Sequence, residues 1–218
     1  MFPSRWRETA SRSFDFGLAL IGGFLTLPLM LGVAAAILLC LGRPVFFVQT
    51  RVGQGGKLFQ MIKFRSMPAT KGQDGNLLSD EERMTNFGRF LRRTRLDELP
   101  EFWNVLTGHM SIVGPRPLLP ETILSMAANG VLRCSVKPGL TGWAQISGGI
   151  KLANDDKLDL DLWYIENRSF LLDLEILLQT PFFLIFGDRC NDKRLNAARQ
   201  RHRRLAEFDD AHTHRPPQ

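Results

Sequence analysis

The stretch FGLALIGGFLTLPLMLGVAAAILLCL, Phe16 to Leu41, is 26 consecutive uncharged residues in a 218-residue chain that is otherwise dense with charge. An apolar run of this length marks a membrane segment. As one straight helix it measures roughly 39 Å at about 1.5 Å per residue, enough to cross a hydrocarbon core of about 30 Å. Pro28 stands near its middle. A proline inside a helix removes one backbone hydrogen bond and crowds the preceding turn, which permits a kink or a reversal of direction. Each half, roughly 18 Å long, then enters only one leaflet. A cleaved secretory signal fits less well: the run exceeds a signal core and leads into Gly42-Arg43-Pro44 without an A-x-A site, so it is expected to persist.

The flanks bear on the choice. Arg5, Arg7 and Arg12 precede the run, and Arg43, Arg51 and Lys57 follow it. Positive charge on both sides favours both ends in the cytoplasm, hence a re-entrant helix-break-helix over about 14–41 with its break at Pro28. A single span and a buried helix of a soluble domain stay open, since spanning helices also tolerate proline.

The length suits one domain with a real core, with or without a membrane element. Lys and Arg outnumber Asp and Glu by 28 to 22 and the pI is near 9.6, which suits phosphate-rich partners: nucleic acid, anionic lipid or phosphorylated substrates. Cys40, Cys134 and Cys190 stand far apart and form no CxxC pair, so no disulfide framework or zinc site is expected and a reducing compartment is. His202, His212 and His214 fall in a polar tail, and no histidine chemistry is evident.

Downstream of the apolar run, Pro44–Gln49 and Leu58–Phe64 read as strands around the Gly53-Gln-Gly-Gly56 turn. Ser79 and Glu82 match a capping box, and Phe87, Phe90 and Leu91 fall at helical spacing, so one helix is predicted over Asp80–Arg93, after a loop at Lys71–Asn76. HMSIVGPRPLLP reads as a rigid turn holding Arg116 between two prolines, and Lys137–Gln145 as a second Gly/Pro-punctuated loop. Asp155–Asn167 is helix-like. Ser169–Phe186 is apolar, interrupted by Pro181, and suits either a core or a membrane-interface helix. The remainder, 188–218, reads as a basic helix, suited to solvent or to anionic headgroups, that fades into a disordered tail.

The stretch RRTRLDELPEFWNV, Arg92 to Val105, carries the chemical question. Asp97 can be the N-cap of a helix reaching about Leu106, with Glu98 and Pro100 in its first turn. Alternatively, a carboxylate beside a helix start and several arginines stays ionised at neutral pH and can attack phosphorus or hold a divalent cation. Neighbouring helical positions point about 100° apart, so Asp97 and Glu98 are not a shared-proton dyad and different tasks are expected of them.

Taken together, FDFGLAL, GRPVFFVQTRVGQGGKLFQMIKFRSM, TNFGRFLRRTRLDELPEFWNVLTGHMSIVGPRP and KPGLTGWAQISG resemble the bacterial sugar transferases, the small monotopic polyprenyl-phosphate phosphoglycosyl transferases. The likeness runs in order from about Arg12 to Gly187, without the extra N-terminal membrane domain of larger members; KFRSM, LDELP and GPRP in this order are its most specific part. It implies an α+β, mostly helical monotopic protein with a re-entrant membrane helix, a small β-hairpin and interfacial amphipathic helices. The catalytic domain is then 1–187. The implied activity moves a phosphosugar from a nucleotide diphosphate sugar, usually a UDP-sugar, to polyprenyl (undecaprenyl) phosphate at the cytoplasmic face of the bacterial inner membrane. This opens glycoconjugate or exopolysaccharide assembly.

The resemblance further implies Asp97 as nucleophile through a covalent phosphosugar intermediate, and Glu98 as the second essential acid. It implies Mg²⁺ as cofactor at Asp97, and Lys63, Arg65, Arg92 and Arg116 as basic groups at the substrate phosphates, a salt-bridge role being the alternative for each. Membrane lipids are expected partners and nucleic acid is not. Two departures stand out: Leu27-Pro28 replaces the family's Ser-Pro break, with Thr26 the nearest hydroxyl, and Gly148-Gly149 stands where many relatives have Asn-Gly-Arg. The rival from another class is a membrane-anchored basic module that binds anionic lipid or nucleic acid, with Asp97 only a cap.

Overall fold

A computed structural model describes residues 5–73, 75–187 and 189–200. The chain is mostly helical with small two-stranded ladders, the expected α+β class, and divides into two compact units. The first holds the residues through Arg51 and Leu58–Ile112; the second holds Val52–Lys57 and the chain from Val113 on.

The first unit begins with helix α1, Arg5–Cys40. One stripe of α1 is buried: Asp15, Ala19, Val33 and Ile37. Val33 and Ile37 form a core with Phe64 and Leu91, flanked by Met30, Leu41, Phe87, Leu96 and Leu99. Gly22 lets Phe102 approach so closely that a Cβ there would lie 2.9 Å from the ring. The rest of the helix is bare: Phe24 is 75% exposed, Leu25 72% and Leu39 87%, and 11% of the most apolar stretch is buried. Such a surface is unsuited to water and suited to lipid, so the alternative of a buried helix in a soluble core does not hold.

The expected break at Pro28 is not a gap between two helices, because α1 is a single helical element with Pro28 inside it. A proline forfeits only one N–H bond. Just before it, the Thr26 hydroxyl donates to the Gly22 carbonyl at 2.7 Å, a back-bond of the kind that bends helices.

Strands β1, Phe46–Val52, and β2, Leu58–Phe64, pair with each other. β2 lies where the sequence placed it, whereas β1 starts two residues after the expected Pro44, which has no N–H to give a ladder. The predicted Asp80–Arg93 helix is in fact two: α2, Asp80–Arg83, with the expected Ser79–Glu82 capping box, and α3, Asn86–Arg93. Thr85 restarts the chain by accepting from the Gly88 N–H at 3.0 Å. Gly88 belongs there because a Cβ would fall 1.9 Å from the Ser66 carbonyl oxygen. A 3₁₀ turn at Leu96–Glu98, helix α4, Glu101–Leu106, and strand β3, Ser111–Val113, follow.

In the second unit, α5 is Pro120–Ser125 and α6 is Ala127–Arg133. The expected loop at Lys137–Gln145 is instead strand β4, Gly139–Thr141, followed by helix α7, Trp143–Ile146. The glycines there serve close approach rather than looping. A Cβ on Gly142 would meet the Gly114 carbonyl oxygen at 2.1 Å, and Gly114 N–H donates to Thr141 at 2.9 Å. Helix α8 is Asn154–Asn167, and α9, Phe170–Phe186, continues through Pro181 rather than stopping at it. Helix α10 covers 192–200. It docks by Leu195 and Ala198, and Arg194 lies 4.0 Å over the Trp143 ring while pairing with Glu175 at 2.8 Å. The expected tail beyond 200 lies outside the described residues.

Cys134 at the end of α6 is buried, and burial pushes its thiol pKa up against the pull of Arg133. Cys190 is exposed. Since thiolate is the reactive form, maleimide at neutral pH is expected to label Cys190 at least ~10-fold faster than Cys134, by peptide mass spectrometry, with the difference lost on unfolding.

Candidate active site

Arg95 sets up the site in the first unit. Its backbone is left-handed, with φ 57°, a conformation that costs a non-glycine residue of order 1 kcal/mol or more. The reversal lets α3 end and the Leu96–Glu98 turn begin, with Glu98 N–H donating to the Arg95 carbonyl at 3.1 Å. Asp97 is therefore inside a 3₁₀ turn and is not the N-cap of α4, whose N-cap is Pro100. Asp97 is 8% exposed and Glu98 9%, so both are largely buried, and Asp97 Oδ1 is itself out of contact with solvent.

β2 supplies the cation. Lys63 Nζ stands 2.9 Å from Glu98 Oε1 and 3.0 Å from Glu101 Oε1, and Arg95 Nη1 is 3.6 Å from Glu98 Oε2. Charge thus alternates along Arg95, Glu98, Lys63 and Glu101. Asn104, one turn beyond Glu101, fastens α4 to the strand: its amide donates to the Gln60 carbonyl at 2.7 Å and accepts from Ile62 N–H at 3.0 Å.

The other expected basic residues are dispersed. Arg92 is tied to the Ser66 hydroxyl at 3.0 Å and lines an open hollow of about 350 Å³ with Arg89, Asp80, Glu81 and Met84. The Arg65 guanidinium is buried and donates to the carbonyls of Leu41, Gly42 and Arg43, where it fastens the exit of α1. Arg116 belongs to the second unit, and its backbone carbonyl accepts from Arg133, which also pairs with the buried Asp161 at 2.8 Å. Burial pushes the Asp161 carboxyl up, against the opposing pull of Arg133.

At the foot of α1 two residues grip the far end of α4. Arg12 donates to the carbonyls of Val105 and Leu106, and Asp15 accepts from the Ser111 hydroxyl at 2.8 Å and Ile112 N–H at 3.0 Å. Sequence reading passed over Asp15, Glu101 and Asn104. An acid at the edge of an apolar run was the signal for Asp15, and three-residue spacing of Glu101 and Asn104 on one helix was the signal for the others. The posture of Arg95 has no sequence signal.

Among the described residues, no group of three or more His, Cys, Asp or Glu side chains is arranged to hold a metal ion. Mg²⁺ commonly takes one or two carboxylates and fills its shell with phosphate oxygens and water. Lys63 already stands between Glu98 and Glu101, so a cage built there would set cation against cation. Asp97 is the residue that would hold such a cation, which would supply charge neutralisation there.

The family model described as bacterial sugar transferase matches residues 6–187. The sugar transferase EpsL of Bacillus subtilis (strain 168) is 45% identical over 169 residues, 78% of this chain and 84% of that protein. The UDP-N-acetylgalactosamine-undecaprenyl-phosphate N-acetylgalactosaminephosphotransferase of Aeromonas hydrophila is 38% identical over 196 residues, 86% of this chain and 46% of that one. The UDP-glucose:undecaprenyl-phosphate glucose-1-phosphate transferase of Escherichia coli (strain K12) is 40% identical over 181 residues, 78% and 39% respectively. The chain therefore spans most of EpsL and less than half of the other two.

Proposed function

We propose, from the premise that this chain belongs to the bacterial sugar transferase family, that it moves a sugar 1-phosphate from a UDP-sugar to undecaprenyl phosphate. The observation that carries this is the acidic pair Asp97–Glu98, set in the turn ahead of α4 and bordered by Lys63 and Arg95. A carboxylate Oδ of Asp97 attacks the phosphorus that bears the sugar. The P–O bond to the nucleotide breaks, UMP leaves with the electron pair, and an aspartyl acyl phosphate holds the phosphosugar. A phosphate oxygen of the lipid then attacks the same phosphorus and displaces the carboxylate, which returns Asp97 and yields the polyprenyl-diphosphate sugar.

Glu98, pinned between Lys63 and Arg95, orients the incoming lipid phosphate. Arg92, at its open hollow in the first unit, offsets charge on the phosphates. Mg²⁺ bound at Asp97 would neutralise charge on the diphosphate. Arg65 serves the membrane helix rather than the phosphates, since its guanidinium is engaged with the carbonyls at the end of α1.

α1 is read as a re-entrant, monotopic anchor with both ends on the cytoplasmic side of the inner membrane. Arg12, Asp15 and Gly22 on one side of Pro28 pack with α4 and β3, and Val33 and Ile37 on the other side pack with α3 and β2. A single span would carry one of these arms across the bilayer, away from its partners. The bare apolar face of α9, with Leu171, Phe182 and Ile185 exposed, suits the interface.

The test is to incubate the purified chain with undecaprenyl phosphate, Mg²⁺ and a panel of UDP-sugars, and to follow UMP. Release of UMP with one sugar supports the reading. No release with any sugar, together with steeply salt-dependent binding to anionic vesicles or nucleic acid, would instead favour a binding module.

A further inference from the structure

We infer that Glu101 is a positioning residue for the transfer reaction, acting through Lys63 on Glu98. This rests on the proposed activity. Glu101 is 3% exposed, deeper than Asp97 or Glu98. A carboxylate so placed is costly to bury unless a cation accompanies it, and Lys63 Nζ lies 3.0 Å from its Oε1. The same ammonium lies 2.9 Å from Glu98 Oε1. Lys63 therefore has an anion on each side and cannot swing to a substrate phosphate without leaving one of them.

Of the two anions, Glu101 has the firmer mounting. It opens α4, and Asn104 on that helix clamps β2 through both its amide atoms, at 2.7 and 3.0 Å. β2 is the strand that carries Lys63. The spacing between Glu101 and Lys63 is thus set by backbone on both sides. Glu98 sits in a short 3₁₀ turn behind a left-handed residue, and its carboxylate is placed by the two cations that touch it, Lys63 and Arg95. With Glu101 neutral, Lys63 loses the anion that holds it in place and settles on Glu98 alone, and Glu98 moves with it. A displacement of about 1 Å at a reacting group can cost ~10²-fold in rate.

The measurement is kcat and KM for the UDP-sugar in Glu101→Gln and Glu101→Asp, with thermal unfolding of each. Glu101→Gln is expected to lower kcat about 10-fold or more, leave KM within about 2-fold and remain folded. Glu101→Asp keeps the charge and is expected to recover at least half of that loss on a logarithmic scale. A kcat in Glu101→Gln within about 2-fold of the parent overturns the inference. Equal losses in both variants overturn it too, since the charge would then be irrelevant. Failure of Glu101→Gln to fold overturns it by assigning Glu101 to stability alone. If the parent chain itself releases no UMP, it is the proposed activity that fails, and the two failures are thereby told apart.

Discussion

Asp97→Asn is expected to end the proposed covalent capture of the phosphosugar and to leave a folded chain. Asparagine has nearly the shape of aspartate but no anionic oxygen with which to attack phosphorus, so the first bond to the enzyme does not form. Folding survives because the turn that carries the residue is held by backbone: Glu98 N–H on the Arg95 carbonyl and Leu99 N–H on the Leu96 carbonyl. The expected loss of UMP release is at least about 10³-fold, the scale seen when a residue that forms the covalent bond is removed. The measurement uses a UDP-sugar labelled at the phosphate next to the sugar, with label counted on denatured protein in the absence of lipid acceptor. Label retained on Asp97→Asn would remove Asp97 from the nucleophilic role, whatever its other contacts.

Glu98→Gln under the same conditions separates the two acids. If Glu98 orients the lipid phosphate, label still accumulates on the protein and its passage to the lipid slows. The split follows from the proposed roles, in which Glu98, beside Lys63 and Arg95, orients the lipid phosphate while Asp97 attacks phosphorus.

The elements that local chemistry dictates were legible in the sequence. β2 follows from alternating apolar residues, the Ser79–Glu82 cap from a local hydroxyl and carboxylate, and α1 from sheer apolar length. What was not legible depends on chain segments meeting from a distance. Gly114 and Gly142 fell in an expected turn and loop and Gly88 inside an expected helix, yet each is there because another backbone presses against it. Arg65 looked like a phosphate ligand within KFRSM, and its guanidinium meets carbonyls more than twenty residues earlier. The Asp97–Glu98 pair stood out by motif, but the third acid, Glu101, gains its meaning only when β2 brings Lys63 beside it.

Arg133→Met is expected to cost the chain about 3–5 kcal/mol, the penalty for leaving one member of a buried ion pair behind. Asp161 is 3% exposed and Arg133 5%, so water does not replace the lost partner. For a chain of this size the melting temperature should fall by roughly 6–20 °C.

The deficit depends on pH. Burial already raises the Asp161 carboxyl, and Arg133 is the leading opposing pull, so the variant holds its proton still more tightly when folded. A group raised in the folded state contributes stability below its unfolded value, near about 3.9, and loses it as pH rises through the folded value. The gap from the parent should therefore widen as pH rises above that unfolded value. Arg133→Met/Asp161→Leu removes the stranded charge and should regain most of the melting temperature, since apolar replacement of a buried pair is often neutral. A single Arg133→Met variant that melts within about 2 °C of the parent would show that the pair contributes little to the fold.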